Sequence, residues 1–184
     1  MGYTLKKYFC ECLTRADDLG RIVIPKEIRK TLKIQEGSPL EIFTDSEGGV
    51  IFRKYSPIGE MANLAGIYAQ TLQTVSGKGC IICDTDRILA VAGLSKKEFL
   101  DKGLSEQLRR HITEKKNLAE GERISLCDGS EKLADVFSPI LSGGDPLGAV
   151  LLIPDETRPE KPGVVHLHRE LVKTISLLLG KQAE

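Results

Sequence analysis

Apolar positions in the first third of the chain come in short bursts separated by glycine turns. Ile22, Val23 and Ile24 form an unbroken β-branched run, and Leu40 to Thr44 and Val50 to Lys54 are two further short apolar stretches. The pattern predicts strands at Tyr8 to Arg15, Arg21 to Ile24, Leu40 to Thr44 and Val50 to Lys54, with a short helix at Lys26 to Leu32. Turns fall at Asp18-Leu19-Gly20, Gln35-Glu36-Gly37 and Ser46-Glu47-Gly48-Gly49, where glycine supplies the left-handed backbone a tight reversal needs. Pro25 suits the first turn of the helix, because its missing N–H would find no helical acceptor there.

Beyond Tyr55-Ser56-Pro57 the pattern changes. Ile58, Met61, Ala65, Tyr68, Leu72 and Val75 alternate steps of three and four, a heptad seam that predicts one helix packed against another. Strands at Gly79 to Asp84 and Ile88 to Ala92 follow, joined by a turn at Asp84-Thr85-Asp86-Arg87. Ser95 and Glu98 then read as a capping box opening a helix that runs past Arg109. Arg123 to Cys127, Leu133 to Leu141 and Leu147 to Ile153 are predicted strands, the last two joined by a hairpin at Ser142-Gly143-Gly144-Asp145-Pro146. A polar loop, Pro154 to Gly163, leads into a last helix with Leu171, Val172, Ile175, Leu178 and Leu179 on one stripe. The expected class is α+β, with residues 1–54 and 55–184 as two domains.

A segment of about 54 residues is marginal as an independent fold. A strand that is apolar at three consecutive positions hides both faces, so something must cover the second. A second copy of the same segment is the simplest cover, which predicts a two-fold, intertwined homodimer. Burying an Ile or Val side chain contributes about 1.5–3 kcal/mol, so a handful per subunit offsets the entropy of association.

The formal charge of the 184 residues is zero, but it is unevenly spread. Residues 1–35 carry eight Lys/Arg against four Asp/Glu, net +4, leaving −4 for the rest. The chain as a whole is no polycation, and the basic surface is local. The five cysteines read as reduced thiols, and Cys80 and Cys83, three apart on a strand, point to opposite faces. Cys10 and Cys12 could share a strand face but find no second pair to complete a metal set. His111, His166 and His168 read as surface residues without a placed partner, and Ser142 to Asp145 lacks the lysine and helix of a phosphate loop. No catalytic residues, metal ligands or cofactor are expected. No apolar run approaches a membrane span, the longest being near Ala149 to Ile153, and no leader opens the chain; the expectation is a cytoplasmic protein away from the membrane.

LGRIVIPKEIRKTLKI, followed by EGSPLEIF and GVIFRKYSPIGE, resembles the AbrB-like swapped-hairpin DNA-binding family over about Arg15 to Tyr55. The resemblance implies an intertwined β-barrel made by two chains, and double-stranded DNA as the partner. Regulators of this kind from spore-forming bacteria carry a GAF-like second domain whose edge helices join two dimers into a homotetramer. The seam from Ile58 to Val75 and the last helix fit that assembly. In such a domain Asp128 to Asp135 and Ala92-Gly93 would border a cavity for an unidentified small ligand, though oligomerisation alone would also account for the domain. The DNA-binding residues implied are Arg15 and Arg21, then Lys26, Arg29 and Lys30, whereas Lys33, Arg53 and Lys54 read as solvated surface. Thr14-Arg15 stands where the family carries two adjacent bases, which implies one fewer phosphate-facing cation per chain. A two-fold array of arginines suits phosphate contact and groove-shape reading better than a base-by-base code. Two other readings stand beside transcription regulation: an antitoxin-type module that binds a protein, and a small-molecule sensor that binds no DNA.

Overall fold

A computed structural model describes residues 13–32, 34, 36–37, 39–155, 157 and 162–183. The chain divides into two compact units between Tyr55 and Ser56.

The first unit holds a helix, α1 (Lys26–Thr31), and an antiparallel hairpin of β1 (Leu40–Thr44) and β2 (Val50–Lys54), in register from Leu40↔Lys54 to Thr44↔Val50. Both strands lie where the apolar bursts placed them. Asp45 builds the hairpin turn: its Oδ1 accepts from the backbone N–H of Glu47 at 3.0 Å and of Gly49 at 2.6 Å, and its own N–H donates to the Gly49 carbonyl at 3.0 Å. Pro25 stands at the N-cap, one position before the helix, and Leu32 at the C-cap. None of the described residues of this unit is buried. Val23 is 74% exposed and Ile42 65%.

The strands expected at Tyr8 to Arg15 and Arg21 to Ile24 are not there in their described parts; residues 13–17 and 21–25 carry no regular structure. A strand is defined by a neighbour's ladder of hydrogen bonds. Among the described residues the backbones of the two arms share one hydrogen bond, Asp17 N–H to the Arg21 carbonyl at 2.9 Å, and the other bonds between them come from the side chains of Asp17, Arg21 and Thr14, the Thr14 hydroxyl reaching the Val23 carbonyl at 3.0 Å. Residues 8–12, with Cys10 and Cys12, and Lys33 lie outside the described residues.

The second unit is a four-stranded antiparallel sheet covered on both faces. Along the chain come α2 (Pro57–Glu60), α3 (Ala62–Ser76), β3 (Gly79–Asp84), β4 (Ile88–Ala92), α4 (Lys96–Phe99), α5 (Glu106–Glu114), β5 (Ile124–Ser125), β6 (Leu133–Ala134), β7 (Val136–Ser142), β8 (Asp145–Ile153) and α6 (Pro162–Gln182). The sheet order is β4-β3-β8-β7, and β5-β6 is a separate two-stranded ribbon. Cys80 and Ile82 face α2, α3 and α6 along with Ala90, Val136, Ile140, Val150 and Leu152. Ile81 and Cys83 face the other way, with Ile88, Val91, Phe137, Ala149 and Leu151, under Phe99, Leu108, Ile112, Ile124 and Leu126. Strands apolar at nearly every position are thus satisfied by cover on both sides. Two glycines permit the closest approaches: a Cβ on Gly180 of α6 would overlap the Leu141 carbonyl oxygen of β7, and one on Gly148 of β8 would overlap that of Cys83 on β3.

The structure corrects several sequence expectations here. The heptad-seam helix breaks at Met61, and its buried positions Ile58, Ala65 and Leu72 pack into the sheet's core cluster, while Val75 is exposed. The seam thus serves the sheet face as well as the neighbouring helix α6. The helix expected from Ser95 past Arg109 is two helices. Between them the chain is captured by the edge of β4, with Asp101 N–H donating to Ile88 O at 2.9 Å and Ile88 N–H to Lys102 O at 3.0 Å. Asp101 takes a left-handed φ of 60° to allow it. Ser95 makes no side-chain cap; Ser105 instead caps α5, accepting from Leu108 N–H at 3.1 Å. The strand expected at Leu133 to Leu141 is divided at Asp135, so that β6 pairs with β5 and β7 joins the main sheet. His168 is buried rather than exposed, because it falls in step with Val172, Ser176 and Leu179 on the sheet-facing stripe of α6. His111 is largely buried, edge-on to Phe137 with ring centroids 6.0 Å apart.

Burial pushes the Cys80 thiol up to about 12 and the Cys83 thiol higher still. Both are neutral in the fold. A folded value above the unfolded one gives stability that is complete below the ordinary thiol range and is lost as pH rises through it toward the folded value. Alkylation of the native protein at pH 8, mapped by mass spectrometry, is therefore expected to label the partly exposed Cys127 well before Cys80 or Cys83, with all three equal only after unfolding.

Candidate nucleic-acid interface

The basic residues of the first unit are arranged around one turn and one helix. In the turn, Asp17 Oδ1 accepts from Leu19 N–H at 3.1 Å and from Arg21 N–H at 2.7 Å. Gly20, at φ 74°, donates its N–H to the Asp17 carbonyl at 3.0 Å and reverses the chain. Arg15 and Arg21 stand on the two arms, both exposed. The Arg21 side chain is 73% exposed, and its Nε donates to Asp17 Oδ2 at 2.8 Å. These hydrogen bonds, from the Arg21 backbone first and its guanidinium second, hold the Asp17 carboxyl below its ordinary range.

After Ile22 to Ile24, Pro25 launches α1, which buries none of its residues. Lys26, Arg29 and Lys30 are exposed on it, and spacings of three and four set Arg29 and Lys30 beside Lys26 on one side of the helix. Arg29 and Lys30 sit in the last turn, where the helix dipole favours cations, and Glu27 sits in the first, where it favours an anion. The structure thus gathers the five residues into two groups, arginines at the turn and mixed bases on the helix, linked by residues 22–25. The Thr14 hydroxyl donates to the Val23 carbonyl and ties the two arms together. Arg53 lies over the Phe43 ring at 5.1 Å.

Sequence reading missed the bond between Asp17 and Arg21. A signal for the turn itself was present: Asp17-Asp18-Leu19-Gly20-Arg21 and Asp45-Ser46-Glu47-Gly48-Gly49 share aspartate first and glycine fourth. Both aspartates bind the third and fifth amides in the same way. Only the first turn carries a base at its fifth position.

The segments expected to border a ligand cavity are spread over the second unit. Ala92 packs on the α3 side, Cys127 beside Asp128 packs against the opposite cluster, and Asp135 receives the buried Lys78 Nζ at 2.7 Å. Among the described residues no three His, Cys, Asp or Glu side chains gather as a metal site, and no helix is long and apolar enough to cross a membrane.

Residues 60–184 match the family model described as stage V sporulation protein T C-terminal, transcription factor, and residues 13–60 match that of antidote-toxin recognition MazE, bacterial antitoxin. The chain is 42% identical over 175 residues to stage V sporulation protein T of Bacillus subtilis (strain 168), covering 92% of this chain and 95% of that one. It is 51% identical over 43 residues to the transition state regulatory protein AbrB of the same organism, 23% of this chain and 44% of that one. Among solved structures, a GAF domain/HD domain protein from Geobacter sulfurreducens overlays with a TM-score of 0.48 at 13% identity, covering 68% of this chain and 95% of that chain.

Proposed function

Because this chain belongs to the stage V sporulation protein T family, we propose that it is a DNA-binding transcription regulator of sporulation or transition-state genes. Residues 1–54 bind double-stranded DNA through Arg15, Arg21, Lys26, Arg29 and Lys30. The single observation that carries this reading is the exposed cationic turn at Asp17–Arg21 leading into a basic helix, on a unit with no buried described residue. A unit of that kind is completed by a second copy: two chains interleave their hairpins, bury Ile22 to Ile24, Ile42 and Val50, and set two cationic turns on one surface. Contacts of this kind fix position on phosphates, and sequence preference then comes from groove shape.

Residues 55–184 are the assembly and sensing half. On α6, Val164, Leu167, Leu171 and Leu178 follow steps of three, four and seven, and Val164, Leu167 and Leu178 remain exposed large apolar residues in the single chain. This stripe supports pairing of dimers into a tetramer. A GAF-like unit would take an unidentified small ligand near Asp128 to Asp135 and Ala92-Gly93, and the protein would work in the cytoplasm.

The test is titration of the full chain into a labelled 40-base-pair duplex at several salt concentrations, alongside its solution mass. If a dimer neutralises roughly six to ten phosphates, log affinity falls with log salt at a slope of about −5 to −9. The mass should be that of two or four chains. A monomer, or a complex indifferent to salt, overturns the reading. The match of residues 13–60 to an antitoxin model favours a second reading, capture of a protein partner by the same hairpins; a stable co-purifying protein together with no DNA binding would select it.

A further inference from the structure

The DNA-facing segment contains an acid where a phosphate binder should least want one. Asp17 lies four residues before Arg21 and beside Asp18, in the middle of the most basic stretch of the chain. By charge alone it should weaken attraction to DNA. Its carboxylate is nevertheless fully engaged: Oδ1 takes the Leu19 and Arg21 amides, and Oδ2 takes Arg21 Nε at 2.8 Å.

The second turn of the same unit separates what the turn needs from what the arginine receives. Asp45 builds its turn with the same two amides, Glu47 and Gly49, and has glycine at the position of Arg21. The reversal therefore forms without a guanidinium. The bond from Arg21 Nε to Asp17 Oδ2 is an addition to it.

We propose that Asp17 is the positioning residue for Arg21, holding the guanidinium by Nε so that its two Nη groups form the edge offered to DNA. This rests on the DNA-binding reading above. A long exposed arginine has many rotamers to give up on binding, and a tether at Nε removes much of that loss in advance. It also selects the outer edge of the fork, the geometry for two parallel bonds to a phosphate.

The experiment is a double-mutant cycle on the full chain, using a fluorescein-labelled duplex at fixed salt, with Asp17→Asn, Arg21→Ala and the double variant. Asparagine keeps an Oδ1 that accepts the two turn amides, but its Nδ2 donates and cannot receive Nε. Asp17→Asn is expected to bind about three- to tenfold more weakly although each chain gains a positive charge, and in the Arg21→Ala background the same change should leave affinity unchanged or raise it. Undiminished binding by Asp17→Asn beside a weakened Arg21→Ala overturns the inference while leaving the DNA site standing. An equal loss in both backgrounds also overturns it, since a damaged turn would act without Arg21. Full binding by Arg21→Ala removes the DNA site as drawn, and this inference with it.

Discussion

Replacing Gly148 with valine is expected to unfold the second unit at temperatures where the native chain is stable. Gly148 lies on β8 between two hydrogen-bonded neighbours, opposite Asp84 on β3 and Ile140 on β7. A Cβ built there overlaps the Cys83 carbonyl oxygen and comes within 2.9 Å of Asp84 Cα. Both obstacles are backbone, so no side chain can swing aside, and relief requires β3 and β8 to part. Those strands carry the core on both faces, including Ile81, Ile82, Val150, Leu151 and Leu152. A cost of about 4 kcal/mol or more is in scale with severe overpacking, against a whole-domain stability of roughly 5–15 kcal/mol. A fall in Tm of roughly 15 °C follows for a unit of this size. Gly66→Ala in α3 is the control, because nothing lies within 4 Å of its added Cβ, and alanine is the better helix former by about 1 kcal/mol. Calorimetry of the two variants checks this; equal behaviour would show that crowding at β3 and β8 is not what holds Gly148.

Arg21→Ala is expected to weaken DNA binding by about 30- to 100-fold. The residue is exposed at the turn, so its loss leaves no cavity in the fold. In a two-fold complex one substitution removes two guanidinium groups. Each group that meets a phosphate releases counterions, so the salt dependence should flatten by about 1.8 in slope. The loss should be similar on every duplex, because phosphate contacts carry little sequence information. Arg21→Lys should recover the slope more fully than the affinity, since lysine keeps the charge but not the fork that meets Asp17 and DNA together. Anisotropy titrations at four salt concentrations separate the two quantities. Unchanged affinity and slope in Arg21→Ala would take the residue out of the interface.

How far the sequence could be read depended on where each residue's partners lie. β1, β2, β3 and β4 were legible to the residue because their apolar runs and the short polar turns between them are local. The Ile22 to Ile24 run was legible as apolar on both faces, but it forms no strand, since no ladder of hydrogen bonds runs beside it among the described residues. The break after Phe99 was illegible for a different reason: a helix-like stretch was diverted by the open edge of β4 at Ile88, a residue distant in sequence. The seam from Ile58 to Val75 gave the right period but only part of what covers it, because α3 packs on the sheet as well as on α6 and periodicity reports which face is apolar and not its neighbours. At the cationic turn, residue types and spacing placed Arg21 beside the reversal, whereas its bond to Asp17 depends on a side-chain rotamer that spacing does not encode.

The absence of buried side chains among the described residues of the first unit bears on how the protein comes to life. The second unit can collapse by itself, at a rate indifferent to dilution. On the two-chain interior proposed here, the first unit must wait for a collision, so its maturation is second-order and its stability is inseparable from protomer concentration. Sparse, newly made chains would carry a finished C-terminal half and an unfinished reading head, and promoter occupancy would climb more steeply than the number of chains in the cell.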